Sequence, residues 1–250
     1  ALDKKPDDVF TVINIANSYL AMGRIPEAEK FVVDYLASGF SDAQLYFLLG
    51  NLNFMRKNYD AAVSYLKQCL SLNSESASSH NLLGAIYTVR DDFDPAGHHL
   101  EAARRLNPRL STVHYNLALL HEKRGDLAAA LAAYREELVH TPKHFRSLYN
   151  LSRIYRQTGE EELELETLRR CLEIDPGFPL TYFYLARISL KRGRDYEEAV
   201  ELVKKGIDLK PEPSELPLGY FLLADLYNRL GNAALSAEYA RKGEAASRAH

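Results

Sequence analysis

The stretch HYNLALLHEKRGD, residues 114–126, sets two histidines seven residues apart with Asn116 and Glu122 close by. At about 3.6 residues per helical turn, His114 and His121 share one face, an arrangement from which a metal site or a general base can be built. Other side chains raise the same question. His98 and His99 are adjacent and diverge on a helix, while Pro142 between His140 and His144 breaks the i, i+4 geometry that a helical ligand pair needs. Cys69 and Cys171 are too few for a disulfide framework or a four-ligand zinc site. The run EEELELE at 160–166 pairs carboxylates, but leucines alternate with its acids, the pattern of a solvated face. No G-x-S-x-G, P-loop, H-E-x-x-H or dinucleotide-binding glycine pattern occurs, and the sequon Asn150-Leu151-Ser152 falls mid-helix. From this set no catalytic residue, no metal ligand and no cofactor is expected; the chain does not read as an enzyme.

Bulk composition narrows the partners. A chain of 250 residues that is 46% hydrophobic can bury a large core, as one domain or as an extended array. Its formal charge of −3, from 31 basic and 34 acidic residues, gives no general attraction to nucleic acid or an anionic membrane. No apolar run reaches the roughly 18 residues that span a bilayer, and ALDKKPDD lacks the apolar core of a secretory signal. Neither nucleic-acid binding nor membrane insertion is expected. The compartment is not written in the chain; a soluble protein is expected, with the cytoplasm as the default setting.

The elements that position these residues come from an internal repeat. Aligning IANSYLA, LLGNLNF, LLGAIYT, LALLHEK, LSRIYRQ, LARISLK and LADLYNR gives seven units starting at Val9, Ala43, Ala77, Ser111, Phe145, Pro179 and Pro217. The first five steps are 34 residues long, and the last is lengthened by RGRDY at 192–196 and KPEPSELP at 210–217. Position 7 of each unit is aliphatic, from Ile15 to Leu223, and position 8 is small: Ala16, Gly50, Gly84, Ala118, Ser152, Ala186 and Ala224. A small residue there admits a neighbouring helix. Gly23, Gly125, Gly159, Gly193 and Gly231 suit a left-handed residue that ends a first helix. Alanines at 28, 62, 96, 130 and 199 mark a second helix, and prolines at 108, 142, 176 and 211 follow it.

This frame resembles the tetratricopeptide repeat, W-x2-L-G-x2-Y, then A-x3-F, then P, over almost the whole chain. The chain departs from it in having no Trp: Tyr46, His80, His114, Tyr182 and Tyr220 fill that place, and Val12 and Leu148 leave it aliphatic. Glu164 and Ser236 stand where the second-helix alanine belongs. His121 shares its slot with Tyr19, Tyr87, Tyr155 and Tyr227, so both histidines of the opening stretch read as planar packing residues. Cys69 and Cys171 share position 27 three repeats apart, too far for a disulfide if each layer advances roughly 10 Å. The resemblance implies an all-α, right-handed superhelical solenoid of antiparallel helix pairs. Residues 1–8 align with GIDLKP at 206–211 and read as the tail of a preceding repeat, so the chain is expected to be cut from something longer.

The resemblance also implies a function: a scaffold for protein–protein interaction whose first helices line a concave groove through positions 2, 5, 6, 9, 12 and 13. Position 5 holds Ile13, Phe47, Asn81, Tyr115, Tyr149, Phe183 and Phe221, whose rings could anchor a partner or tuck against neighbouring repeats. Asn14, Asn116 and Asn150 at position 6, with Asn17 and Asn51 at position 9, could bond an extended backbone. Charge is uneven along the groove. Phe10, Ile13, Phe47, Phe54 and Met55 make one end apolar, whereas Lys123, Arg146, Arg153, Arg156, Arg187 and Lys191 make the other basic, with Glu122 opposing. An acidic or carboxylate-terminated segment fits the basic end. Only two of the five carboxylate-clamp positions of chaperone-binding members are matched, so a chaperone tail is not the expected ligand. Two alternatives stay open. PLGYFLLADLYNRLG at 217–231 weakly resembles tetratricopeptide tails of bacterial multidomain enzymes, including sulfatase-like hydrolases, and an uncapped solenoid end could self-associate.

Overall fold

The computed structural model describes residues 9–249; residues 1–8, with the repeat tail read there, lie outside the described part. The described chain holds fourteen α-helices, one 3-10 turn and, among the described residues, no strand. Seven consecutive antiparallel pairs form: α1 (Val9–Ala21) with α2 (Ile25–Ala37), α3 (Ala43–Met55) with α4 (Tyr59–Leu72), and α5 (Ala77–Val89) with α6 (Phe93–Leu106). Next come α7 (Val113–Lys123) with α8 (Leu127–His140), α9 (Phe145–Thr158) with α10 (Glu161–Ile174), α11 (Pro179–Arg192) with α12 (Tyr196–Asp208), and α13 (Leu216–Arg229) with α14 (Ala233–Arg248). They divide into two compact units, one ending at His140 with four pairs and one beginning at Thr141 with three. The regular period of the sequence carries no mark of that division.

Inside each pair the contact is set by what is missing. A Cβ on Gly84 would stand 2.4 Å from Leu100 Cγ, and one on Gly50 would stand 2.7 Å from Leu66. The small position 8 is therefore where the second helix lays its leucine against the first. Ala28, Ala62, Ala96, Ala130 and Ala199 are fully buried at the matching second-helix slot. In the first unit Val12, Val32, Leu45 and Leu49 form one core with Ala16 and Ala28, and Leu66, Leu83 and Ile86 continue it. In the second, Phe183, Val203, Leu222, Leu223 and Leu226 pack together.

The turn inside every pair passes through at least one left-handed residue. Gly23, Gly125, Gly159, Gly193 and Gly231 take φ between 70° and 82°, where glycine has no steric cost. The first unit fills the same place twice without glycine, at Lys57 (φ 62°) and Asp91 (φ 61°). The extra residue in RGRDY is absorbed by a second left-handed residue, Asp195 (φ 59°), and the proline-rich insertion by the 3-10 turn Pro213–Glu215.

Candidate interaction surfaces

A recurrent clasp joins successive pairs and gives three occupants of the aromatic slot, His80, His114 and Tyr182, a framework role. Asn73, Asn107 and Asp175, each just past a second helix, accept a hydrogen bond from the backbone N–H two residues on. The carbonyl in between is then met by the ring six residues downstream. Tyr182 donates its hydroxyl to Pro176 O (2.8 Å), His114 Nε2 lies 2.9 Å from Pro108 O, and His80 Nε2 lies 3.3 Å from Ser74 O. A carbonyl can only accept, so each histidine presents Nε2–H there. His114 is thus framework, as its slot implies, but with one nitrogen that a tyrosine would not have.

In the first unit the leading helices α1, α3, α5 and α7 present an apolar edge. Phe10, Met55 and Val89 are exposed by 71%, 52% and 47%. Asn14 and Asn17 are exposed and Asn51 half-buried, while Ile13 and Phe47 are half-buried against their cores. Tyr115 is half-buried, tilted against Tyr134 with centroids 5.9 Å apart. Asn81, expected in the groove, is instead a seam residue. Its Nδ2 donates to Thr112 Oγ1 (3.2 Å), its Oδ1 accepts from Asn116 Nδ2 (2.9 Å), and only 9% of it is exposed. Lys123 is tied to Asp91 at 2.6 Å.

In the second unit the expected aromatic anchors pack mostly on the protein itself. Phe183 is fully buried and offers no surface to a partner. The cause lies on two other helices: a Cβ at Gly206 or Gly219 would stand 2.5 or 2.8 Å from its ring, so the two glycines form its pocket. Phe221, one repeat on, lies over Gly243 and keeps 41% exposure. Tyr149 is half-buried edge-on to Phe178 (5.1 Å) and beside Tyr184 (6.4 Å), and burial pushes its phenol pKa up. Arg156 lies over the Tyr184 ring, 4.0 Å from its centroid. Arg187 pairs with Glu164 at 2.9 Å, and Lys191 and Arg192 pair with Glu161 at 2.8 and 2.7 Å. The basic end is therefore partly neutralised by acids of α10, an opposition the position list alone did not show. Arg146 and Arg153 are exposed and Asn150 is half-buried.

One cleft of about 570 Å³ opens between α11 and α13, lined by Arg187, Ile188, Leu190, Lys191, Leu222, Asp225, Asn228 and Arg229. Most of these are the groove positions of the two leading helices, and Arg187 and Lys191 are the two that the sequence places at the basic end of the groove. Asp225 and Arg229 line the same cleft. No described helix is long and apolar enough to cross a membrane.

Helix pairs repeating with a small contact residue, a left-handed turn and a ring-to-loop clasp define a class of proteins, the helical-hairpin repeats. Within that class the chain belongs to the tetratricopeptide repeat family, whose model matches residues 13–77, 87–143 and 115–179, more than half of the chain. The family's fold is a protein–protein interaction scaffold, and this chain carries it. Solved structures agree on the fold. PilF of Pseudomonas aeruginosa is similar at 18% identity over 80% of this chain and 89% of its own, with a TM-score of 0.70. A tetratricopeptide repeat protein of Parabacteroides merdae is similar at 14% identity over 94% and 91%, with a TM-score of 0.62. YrrB, described as a TPR protein with an unusual peptide-binding site, is similar at 19% identity over 72% and 93%, with a TM-score of 0.55. No curated protein sequence matches the chain.

Proposed function

We propose that the chain is a non-catalytic scaffold that holds an extended, acidic peptide along the leading helices α11 and α13. The observation that carries the reading is the cleft between them, lined by Arg187, Lys191 and Arg229 with Leu222 and by Asn228, which can donate and accept; Arg187 and Lys191 already pair with Glu164 and Glu161, so Arg229 is the cation that meets an incoming carboxylate first. Guanidinium groups suit carboxylates because two parallel N–H donors meet two oxygens. Asp225 in the same cleft gives register, since it repels an acid placed beside it. In the first unit, Phe10 and Met55 are exposed apolar side chains and Asn14 and Asn17 exposed amides, each suited to docking side chains of the same or another partner. The peptide-binding site described for YrrB supports peptide binding by this fold and says nothing of the sequence bound here.

Peptide display against the purified chain, followed by fluorescence anisotropy on the selected sequences, tests the proposal. Enrichment of Asp- and Glu-rich peptides is expected, weakened by salt and by about tenfold or more in Arg229→Glu, the loss of one charge-assisted contact. Selection of neutral or basic peptides, or unchanged affinity in Arg229→Glu, removes it.

A further inference from the structure

The framework role of His114 uses one ring nitrogen and leaves the other unexplained. With Nε2–H given to Pro108 O, Nδ1 carries the lone pair. His114 is 7% exposed, and the imidazole of His140 lies against it with ring centroids 5.3 Å apart. One helical turn before His140 on α8, Glu136 brings Oε1 to 3.4 Å from His140 Nε2. His114, Glu136 and His140 each offer one ligand atom, and the three atoms lie within 4.8 Å of one another.

We propose that His114, Glu136 and His140 form a three-ligand site for a zinc-class divalent cation in the first unit, between the start of α7 and the end of α8. Two donors bound to one cation at about 2.0–2.2 Å in tetrahedral geometry stand about 3.3–3.5 Å apart, the separation of His140 and Glu136. Two neutral imidazoles and a carboxylate are the donor set zinc takes, and Glu136 and His140 at i, i+4 place both donors on one face of α8. The bond from His114 to Pro108 O supplies what a bound imidazole needs behind it, an acceptor that fixes tautomer and ring plane. Three protein ligands leave a coordination position open. The three ligands line a cleft of about 590 Å³ that Arg104 and Arg105 also line, so water or a carboxylate has room to complete the shell. Arg104 is itself paired with Glu101 at 2.7 Å, which reduces its repulsion of a cation.

The repeat supplies an unusually clean test. Tyr182 fills the same slot as His114 and makes the same bond to the loop carbonyl, so His114→Tyr keeps the clasp and removes only the second nitrogen. Chelator-treated chain is titrated with Co²⁺, read by visible absorption, and with Zn²⁺ in competition. One ion per chain is expected, with the intense absorption of four-coordinate Co²⁺. His114→Tyr, His140→Ala and Glu136→Gln should each weaken binding by about 100-fold or more, beyond the 10–100-fold typical of losing a supporting contact. His121→Tyr, in the same cleft but outside the ligand set, should bind as the parent does. Circular dichroism of each variant confirms the helical fold. Absence of stoichiometric binding, survival of binding in folded His114→Tyr or His140→Ala, or an equal loss in His121→Tyr overturns the site and leaves the stacked rings as packing.

Discussion

Glu137 in the first unit and Glu164 in the second are both buried carboxylates on second helices, and their surroundings treat the charge in opposite ways. Glu137 is 1% exposed and sits at the N-terminus of α7, where Oε1 accepts from Thr112 N and Oε2 from Tyr115 N, each at 3.2 Å. Thr112 itself holds a left-handed φ of 72° and makes no side-chain cap bond, so the glutamate from the neighbouring helix does the capping. A negative charge on a helix N-terminus satisfies orphan N–H groups and the helix dipole together. Glu164 is 3% exposed and faces a cation instead, Arg187, whose side chain remains 38% exposed and whose Nε finds no partner. Burial raises the Glu164 pKa above its ordinary 4.5, overriding the lowering by Arg187, Arg156 and Lys191. One carboxylate is met by fixed backbone dipoles; the other is left short of solvation by a partner that water still reaches.

The largest effect should come from breaking the first arrangement. Glu137→Ala leaves two N–H groups at a buried helix start unsatisfied, at about 1–3 kcal/mol each, so the first unit should lose about 2–6 kcal/mol in denaturant unfolding. A loss below about 1 kcal/mol would show that water replaces the carboxylate and that the cap adds nothing the solvent cannot supply.

The second arrangement should respond with the opposite sign. Glu164→Gln keeps an acceptor for Arg187 and removes the desolvated charge, so at neutral pH the variant should be unchanged or up to about 1 kcal/mol more stable. With the folded-state pKa raised, the stability Glu164 contributes is full below pH 4.5 and is lost as pH rises through the folded value. The parent should therefore gain on Glu164→Gln as pH falls from 7 to 4, measured by paired urea titrations. A variant clearly weaker than the parent at pH 7, with no gain in acid, would mean that the ion pair outweighs its burial.

These two glutamates also mark what the sequence could and could not convey. The hairpin repeat was legible because position 8 and the turn glycines are local constraints on backbone and contact distance, repeated down the chain. Glu164 was visible as a departure from the alanine slot, though its partner was not. Glu137 gave no signal, because its cap on α7 joins residues 22 and 25 apart across a turn. Phe183 looked like a groove anchor because position 5 was read one helix at a time; its burial depends on Gly206 and Gly219, on two other helices. Asn81 looked like part of an amide ladder until Thr112 and Asn116 took its carboxamide. His140 was weighed against His144, its neighbour in sequence, and the structure sets it beside His114. Each miss is a side chain whose environment is made by another helix, of its own repeat for Glu137 and His140 and of the next repeat for Asn81.

The units differ once more at the turn inside each pair, and the smallest prediction lies there. The three turns of the second unit all place glycine at the left-handed residue: Gly159, Gly193 and Gly231. The first unit has glycine at Gly23 and Gly125 but Lys57 and Asp91 at the other two. A side chain in that conformation costs about 1–2 kcal/mol against the following carbonyl, and glycine returns part of the relief through the greater freedom of its unfolded chain. Asp91 holds Lys123 at 2.6 Å and would lose that contact, whereas Lys57 has only the strain to lose, its N–H bond to Phe54 O being backbone. Lys57→Gly should therefore stabilise the first unit by about 0.5–1 kcal/mol, a rise of about 1–4 °C in its melting temperature by calorimetry. The equivalent change in the other direction, Gly159→Lys, should cost the second unit a similar amount. If Lys57→Gly destabilises the protein while Gly159→Lys is neutral, the turns do not share one backbone requirement, and the difference between the units at this position is one of side-chain contacts.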